Sequence, residues 1–250
     1  MTELSYEDYG TGTPIVLIHG FCGNRDYWKD VVPLLKEDFR IIAVDLRGHG
    51  ESSCGTNEFE IEDMADDVYK LLKRLDVKDV YLFGHSLGGY ITLSFVEQFP
   101  EMVKGFSLVH STALPDSEEA KAGRLKSIET IENEGIKAFI DGLIPKLFAD
   151  SEHNHIKTAK EIGYRTGING ATGSLKAMRN RGDRNHVLEN ANVPVLLIAG
   201  GKDKLIAPEK TFSVKGKDYI KEVLLPDSGH MGMLEDPQRV AGEIKGFVRH

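Results

Sequence analysis

Gly84-His85-Ser86-Leu87-Gly88 follows directly on the apolar run Val80-Tyr81-Leu82-Phe83 and opens the helix-like stretch Leu87–Gln98, which stops before Pro100. A G-x-S-x-G spacing between strand and helix reads as a sharp turn that lifts one hydroxyl clear of the backbone. The glycines answer a steric need, because a Cβ at 84 or 88 would collide with neighbouring backbone in so tight a turn. Ser86 is thereby placed at a helix N-terminus, where unpaired N–H groups favour developing negative charge. These are two of the parts that acyl transfer requires, so the remaining parts are sought at compatible places.

Apolar runs and amphipathic stretches alternate along the chain. Ile15–Ile18, Arg40–Val44, Val80–Phe83, Val103–Val109, Val193–Ala199 and Ile220–Leu225 read as strands. Tyr27–Lys36, residues 61–75, Leu87–Gln98 and Val240–Val248 read as helices. Continuous apolar strands separated by helices imply a parallel sheet covered on both faces, and the alternating Leu4–Tyr9 implies an antiparallel edge strand. Residues 114–188 carry no strong strand pattern; Ile128, Ile131, Ile136, Phe139, Ile140, Leu143 and Leu147 recur at helical spacing, followed by Gly163, Gly167, Gly170 and Gly173 as turn or mobile positions. A segment this long without a strand exceeds one ordinary crossover. The expected organisation is an α/β core of residues 1–113 and 189–250 with a helical cap of residues 114–188, inserted after the sixth strand.

A serine hydroxyl becomes a good nucleophile only when a base takes its proton and an acid orients that base. His230, in Pro226-Asp227-Ser228-Gly229-His230, follows the last strand and so shares the carboxyl edge of the sheet with Ser86. It is the candidate base, whereas His85 is expected to point away from the serine and His19 and His49 to make structural hydrogen bonds. Asp203, in Gly200-Gly201-Lys202-Asp203, follows the preceding strand and is the candidate acid. Asp227 reads as a turn residue and Asp116 as a weaker rival. For an oxyanion, the N–H of Leu87 is one donor and that of Phe21, in His19-Gly20-Phe21-Cys22-Gly23, the second. Phe21, Cys22 and Met231 are the candidate pocket residues, with small-residue packing the plainer role for Cys22.

With these residues in place, the chain resembles the α/β-hydrolase superfamily, specifically its small esterase-like members with a helical cap. The resemblance rests on His19-Gly20-Phe21, Asp45-Leu46-Arg47-Gly48-His49-Gly50-Glu51-Ser52, Gly84-His85-Ser86-Leu87-Gly88-Gly89, Gly201-Lys202-Asp203 with Pro208, and Gly229-His230. It implies a mostly parallel α/β-hydrolase sheet flanked by helices, the chain order serine, aspartate, histidine, and a supporting role for the 45–52 loop. Ser86 stands where dehalogenases and epoxide hydrolases carry aspartate, so an ester is the implied electrophile.

The expected activity is therefore that of a carboxylesterase on small to medium acyl esters, with a small-molecule acyl substrate, no cofactor and no metal. The same three side chains also serve lactonases and carbon–carbon bond hydrolases, and a ligand-binding or signalling protein can keep the fold with negligible turnover. A formal net charge of -8 speaks against nucleic-acid or anionic-membrane partners. Cys22 and Cys54, with no secretory pattern or apolar run of membrane length, suit a reduced, cytoplasmic setting. Gly201-Lys202, Gly10-x-Gly12 and Gly48-x-Gly50 lack the partners that phosphate or dinucleotide loops need. His153-Asn154-His155 lacks a third metal ligand at useful spacing. The basic group Arg179, Arg181 and Arg184 reads most simply as a solvated face of the cap, and as a selector of acidic substrates if it turns toward the pocket.

Overall fold

The computed structural model describes residues 3–249. Seven strands form one sheet: β1 (Tyr6–Tyr9), β2 (Pro14–Ile18), β3 (Arg40–Val44), β4 (Val80–His85), β5 (Val103–Val109), β6 (Val195–Gly200) and β7 (Ile220–Leu225). Their spatial order is β1-β3-β2-β4-β5-β6-β7. Only β1 runs antiparallel, pairing Tyr6 with Val44 and Tyr9 with Ile41; the other neighbours are parallel. The central strands are buried on both faces, with Ile15–Ile18 and Val195–Ala199 fully enclosed. Their near-continuous aliphatic character follows from that two-sided burial.

The helices are α1 (Val32–Leu35), α2 (Ile61–Arg74), α3 (Leu87–Gln98), α4 (Glu118–Leu143), α5 (Ile156–Gly163), α6 (Ile168–Asn180), α7 (Asn185–Glu189), α8 (Pro208–Thr211), α9 (Gly232–Glu235) and α10 (Pro237–Val248). On α2, Ile61, Met64, Ala65, Val68, Leu71 and Leu72 form one buried face, as their spacing predicts. α3 is buried from Leu87 to Phe95, which makes it the central helix behind β4. The stretch Tyr27–Lys36 is broken, contrary to expectation. A 3₁₀ turn covers Arg25–Trp28 and α1 begins only at Val32. Pro33 explains the break: it has no N–H to continue a helix from upstream and is tolerated only in a first turn.

Residues 114–188 hold α4 to α6, all of α7 but its last residue, and no strand. They leave the sheet after β5 and return to it at β6, so the insertion follows the fifth strand and not a sixth. Only five strand-forming runs precede Leu114, and the sixth, Val195–Gly200, lies beyond the insertion. α4 is two helices joined at Gly135, whose φ of 85° no helix interior accepts. The glycines read as turn positions are mostly helical instead. Gly170 packs so closely on Gly48 that a Cβ would lie 2.2 Å from the Gly48 carbonyl oxygen. No helix among the described residues is long and apolar enough to cross a membrane.

Candidate active site at the carboxyl edge of the sheet

Ser86 has φ 51° and ψ −113°, a left-handed conformation that is strained for a residue with a side chain. The strain is enforced on both sides. A Cβ on Gly84 would lie 2.2 Å from the Gly88 carbonyl oxygen, and one on Gly88 would lie 2.5 Å from that of Ile18. The Ser86 N–H donates to the Val109 carbonyl (3.0 Å), and Ser111 Oγ donates to the Ser86 carbonyl (2.7 Å). The turn is thus locked by β2 on one side and by the end of β5 on the other.

Asp203 and His230 meet at the same edge of the sheet, after β6 and β7. His230 Nδ1 donates to Asp203 Oδ2 at 2.7 Å, and both side chains are buried. Asp203 Oδ1 accepts the N–H groups of Leu205 (2.8 Å) and Ile206 (3.0 Å), so the carboxylate cannot swing. Burial alone would raise the Asp203 carboxyl; the imidazoles of His230 and His110 outweigh it and hold the group well below the ordinary carboxylate range. A carboxylate only accepts, so Nδ1 of His230 carries the proton and Nε2 is the free nitrogen. His230 and Ser86 line the same cavity, of about 820 Å³.

The donors expected for an oxyanion are available. Neither the Phe21 nor the Leu87 N–H has a hydrogen-bond partner among the described residues. The loop after β2 comes close to the serine, since a Cβ on Gly20 would lie 3.2 Å from Ser86 Cβ. The Phe21 ring lines the cavity and meets Phe139 of α4 edge-on at 5.9 Å. Cys22 and Met231 do not line it. Both are fully buried in the core, Cys22 at φ 54°, and burial pushes its thiol up and leaves it inert.

The other histidines take separate places. His85 Nε2 donates to the His230 carbonyl (2.9 Å), which ties the candidate base's own backbone to the turn. His19 donates through Nδ1 to Gly20 (2.7 Å) and accepts the Leu46 N–H at Nε2 (3.0 Å), an arrangement only the neutral ring can make. Burial accordingly lowers its pKa well below the usual imidazole value. Of the rival acids, Asp227 is exposed and pairs with Lys202, and Asp116 pairs with Arg124 and Arg181. The supporting loop at 45–52 is anchored by Asp45, which accepts the N–H groups of Arg25 (2.8 Å) and Glu51 (3.0 Å).

Two residues were not foreseen. His110, at φ 47° just past β5, is fully buried with its Nδ1 3.7 Å from Asp203 Oδ2, too long for a hydrogen bond; neither ring nitrogen has a partner. Its position at a strand's carboxyl end was the available signal. Glu235 accepts the N–H groups of Gly229 (2.9 Å) and Met231 (3.1 Å) on either side of His230, and that of Ala149 (2.8 Å) in the insertion. The His230 N–H donates to the Leu147 carbonyl (2.7 Å). The loop carrying the imidazole is therefore clamped to both halves of the molecule.

The basic group is also not a solvated face. Arg184 is buried and bridges Glu62 of α2 and Glu97 of α3, and Arg181 is buried beside the cavity. Only Arg179 keeps partial exposure. Both buried guanidiniums find carboxylates facing them, which spacing along one chain segment does not reveal.

A mostly parallel sheet with a strained serine behind its central strand and an Asp–His pair at the same edge defines the α/β-hydrolase class. The sequence pattern of the α/β hydrolase fold matches residues 13–237, and the chain belongs to that family. It is 30% identical over 252 residues to the dihydrolipoyllysine-residue acetyltransferase component of the acetoin cleaving system of Pseudomonas putida, covering 95% of this chain. The chain spans only 64% of that relative's length. It is 28% identical to lipase 3 of a Moraxella species over 96% of this chain and 78% of the lipase. Among solved structures, a thermophilic esterase of Thermogutta terrifontis with malate bound superposes with a TM-score of 0.94 at 32% identity, over 99% of this chain and 93% of the esterase.

Proposed function

We propose that this protein is a serine carboxylesterase acting on small to medium acyl esters. The observation that carries the reading is one cavity bordered by a strained serine and by an imidazole whose far nitrogen is fixed on a buried carboxylate at 2.7 Å. His230 Nε2 takes the proton of Ser86 as its oxygen attacks the ester carbonyl. The N–H groups of Leu87 and Phe21 hold the oxyanion. Asp203 keeps the tautomer that presents Nε2 and stabilises the imidazolium formed in the step. His230 then protonates the leaving alcohol, and water returning along the same path releases the acyl group. The insertion acts as the cap, closing the cavity through Phe139 and Leu143. Its volume suits a substrate of small to medium size. The similarity to the Thermogutta esterase and the Moraxella lipase supports an ester as the electrophile.

The test is hydrolysis of 4-nitrophenyl acetate and butyrate beside a thioester and a lactone, with Ser86→Ala as control and a fluorophosphonate as a label for Ser86. Wild-type turnover no better than the variant's, with no labelling, overturns the reading in favour of a ligand-binding protein. Lactone turnover far above ester turnover moves it to a lactonase.

A further inference from the structure

Two arginines in the cavity share one carboxylate. Arg181 Nη1 lies 2.7 Å from Asp116 Oδ1, and Arg124 Nε donates to Asp116 Oδ2 at 3.0 Å. All three residues line the cavity that holds Ser86. Arg181 is already committed elsewhere: Nη1 donates to the Met178 carbonyl (2.6 Å) and Nη2 to that of Leu114 (3.2 Å). Its guanidinium lies 3.9 Å over the Tyr90 ring, and its Nε is left without a partner. Arg124 has spent only Nε. Its terminal nitrogens have no partner among the described residues, and its side chain is 25% exposed.

A cap whose only task was to fasten Arg181 would be complete with Asp116 alone. The second guanidinium leaves an excess positive charge on the cavity lining, beside Ser117, Ser127 and Thr130. Lys146 and Lys210 also line the cavity, against Asp183 as the one further acid. The cavity is therefore positive in a chain whose net charge is -8. Tyr90, on α3, lines the same cavity as Ser86, the residue that caps that helix.

We propose that the arginine pair recognises a second, free carboxylate on the substrate, so that the preferred esters are monoesters of dicarboxylic acids or esters of a carboxylate-bearing alcohol. Arg124 supplies the open guanidinium fork, which matches a carboxylate in shape and charge. Arg181 and Asp116 hold that fork in place. The inference rests on the esterase reading above and adds the substrate class.

The test compares esters of equal length: 4-nitrophenyl hydrogen glutarate against 4-nitrophenyl valerate for the acyl side, and 4-(valeryloxy)benzoate against phenyl valerate for the alcohol side. The wild type is expected to favour the charged member of one pair by about tenfold or more in kcat/KM, chiefly through KM, with the preference shrinking as salt is raised. Arg124→Gln should abolish most of that preference. Arg181→Lys, which keeps the charge but loses the fork, should reduce it. Glutarate should inhibit valerate hydrolysis competitively in the wild type and not in Arg124→Gln. Valerate cleaved without preference for the charged partner in either pair overturns the proposal alone, as does a preference that survives Arg124→Gln. Failure to cleave any of the esters, with no fluorophosphonate labelling of Ser86, overturns the esterase reading and this one with it.

Discussion

The carboxyl edge of the sheet and the helical insertion above it are built by different rules. At the edge, each candidate side chain follows a strand within a few residues: Ser86 after β4, His110 after β5, Asp203 after β6 and His230 after β7. Parallel pairing in register then brings them together with no further information. In the insertion, what faces the cavity depends on how α4 and α6 rotate and cross, which spacing within each helix does not specify. A site can therefore be fixed by chain order at its floor and by packing alone at its roof. Substitutions at the two levels should separate chemistry from selection and stability.

The sharpest break comes from the floor. Ser86→Ala should lower kcat/KM on 4-nitrophenyl butyrate by roughly four to six orders of magnitude, and Asp203→Asn by roughly four, because the three groups act as a unit. Thermal unfolding of Ser86→Ala should match the wild type or exceed it, since alanine keeps the strained turn and removes only a hydroxyl. A loss confined to less than tenfold would show that the chemistry lies elsewhere.

Acid should strike the same edge. His19, His49, His85 and His110 are all buried there, and burial comes first among the causes that lower each pKa, with that of His49 falling to about 4. Below the ordinary imidazole value the unfolded chain takes up protons that the native rings refuse, so stability falls as pH drops from about 6.5 toward about 4. Each such ring contributes up to roughly 1.4 kcal/mol per pH unit. The lowered Asp203 carboxyl adds nothing in that window, because its contribution stays intact until pH falls below the ordinary carboxylate value. Urea midpoints should drop steeply between pH 7 and pH 5 at unchanged m; a flat profile would mean that these rings are hydrated and charged in the native state.

The legibility of the molecule follows the same division. Ser86, Asp203 and His230 could be singled out because glycine-rich turns after apolar runs mark strand ends directly. Phe21 was placed by the loop after β2, whereas Cys22 and Met231, one step from candidate site residues, turn into the core, Cys22 at φ 54° and Met231 at the cap of α9. His110 was passed over because no motif surrounds it, and Glu235 because its whole role is to accept backbone N–H groups, which leaves no residue pattern. Arg181 and Arg184 read as solvent-facing from their charge, and their carboxylate partners lie roughly 65 to 120 positions away in sequence.

Glu235 joins floor to roof, so its replacement should show a mixed effect of intermediate size. Glu235→Gln places amide hydrogens against N–H donors at Gly229, Met231 or Ala149, and one unsatisfied buried donor costs about 1–3 kcal/mol. The expected result is a roughly tenfold or greater fall in kcat with KM little changed, together with a lower Tm. Because Glu235 touches no reacting atom, the split between kcat and KM is what identifies it as a positioning residue. A loss of stability with full kcat would reduce it to a tie between loop and insertion.

The smallest effect belongs to the roof's attachment. Arg184 is almost fully enclosed, yet its partners Glu62 and Glu97 are each about half exposed, so water screens part of the attraction. His186 Nε2 also reaches Glu97 at 2.7 Å and keeps that carboxylate in place when the arginine is gone. Arg184→Gln should therefore cost only about 1–2 kcal/mol, seen as a shift of a few degrees in Tm, with ester turnover unchanged. Such a result would show the insertion held mainly by its apolar contacts, such as Phe21 on Phe139. A collapse of activity would instead show that this one guanidinium sets the height of the roof over Ser86, and that selection and chemistry cannot be separated as cleanly as the two building rules suggest.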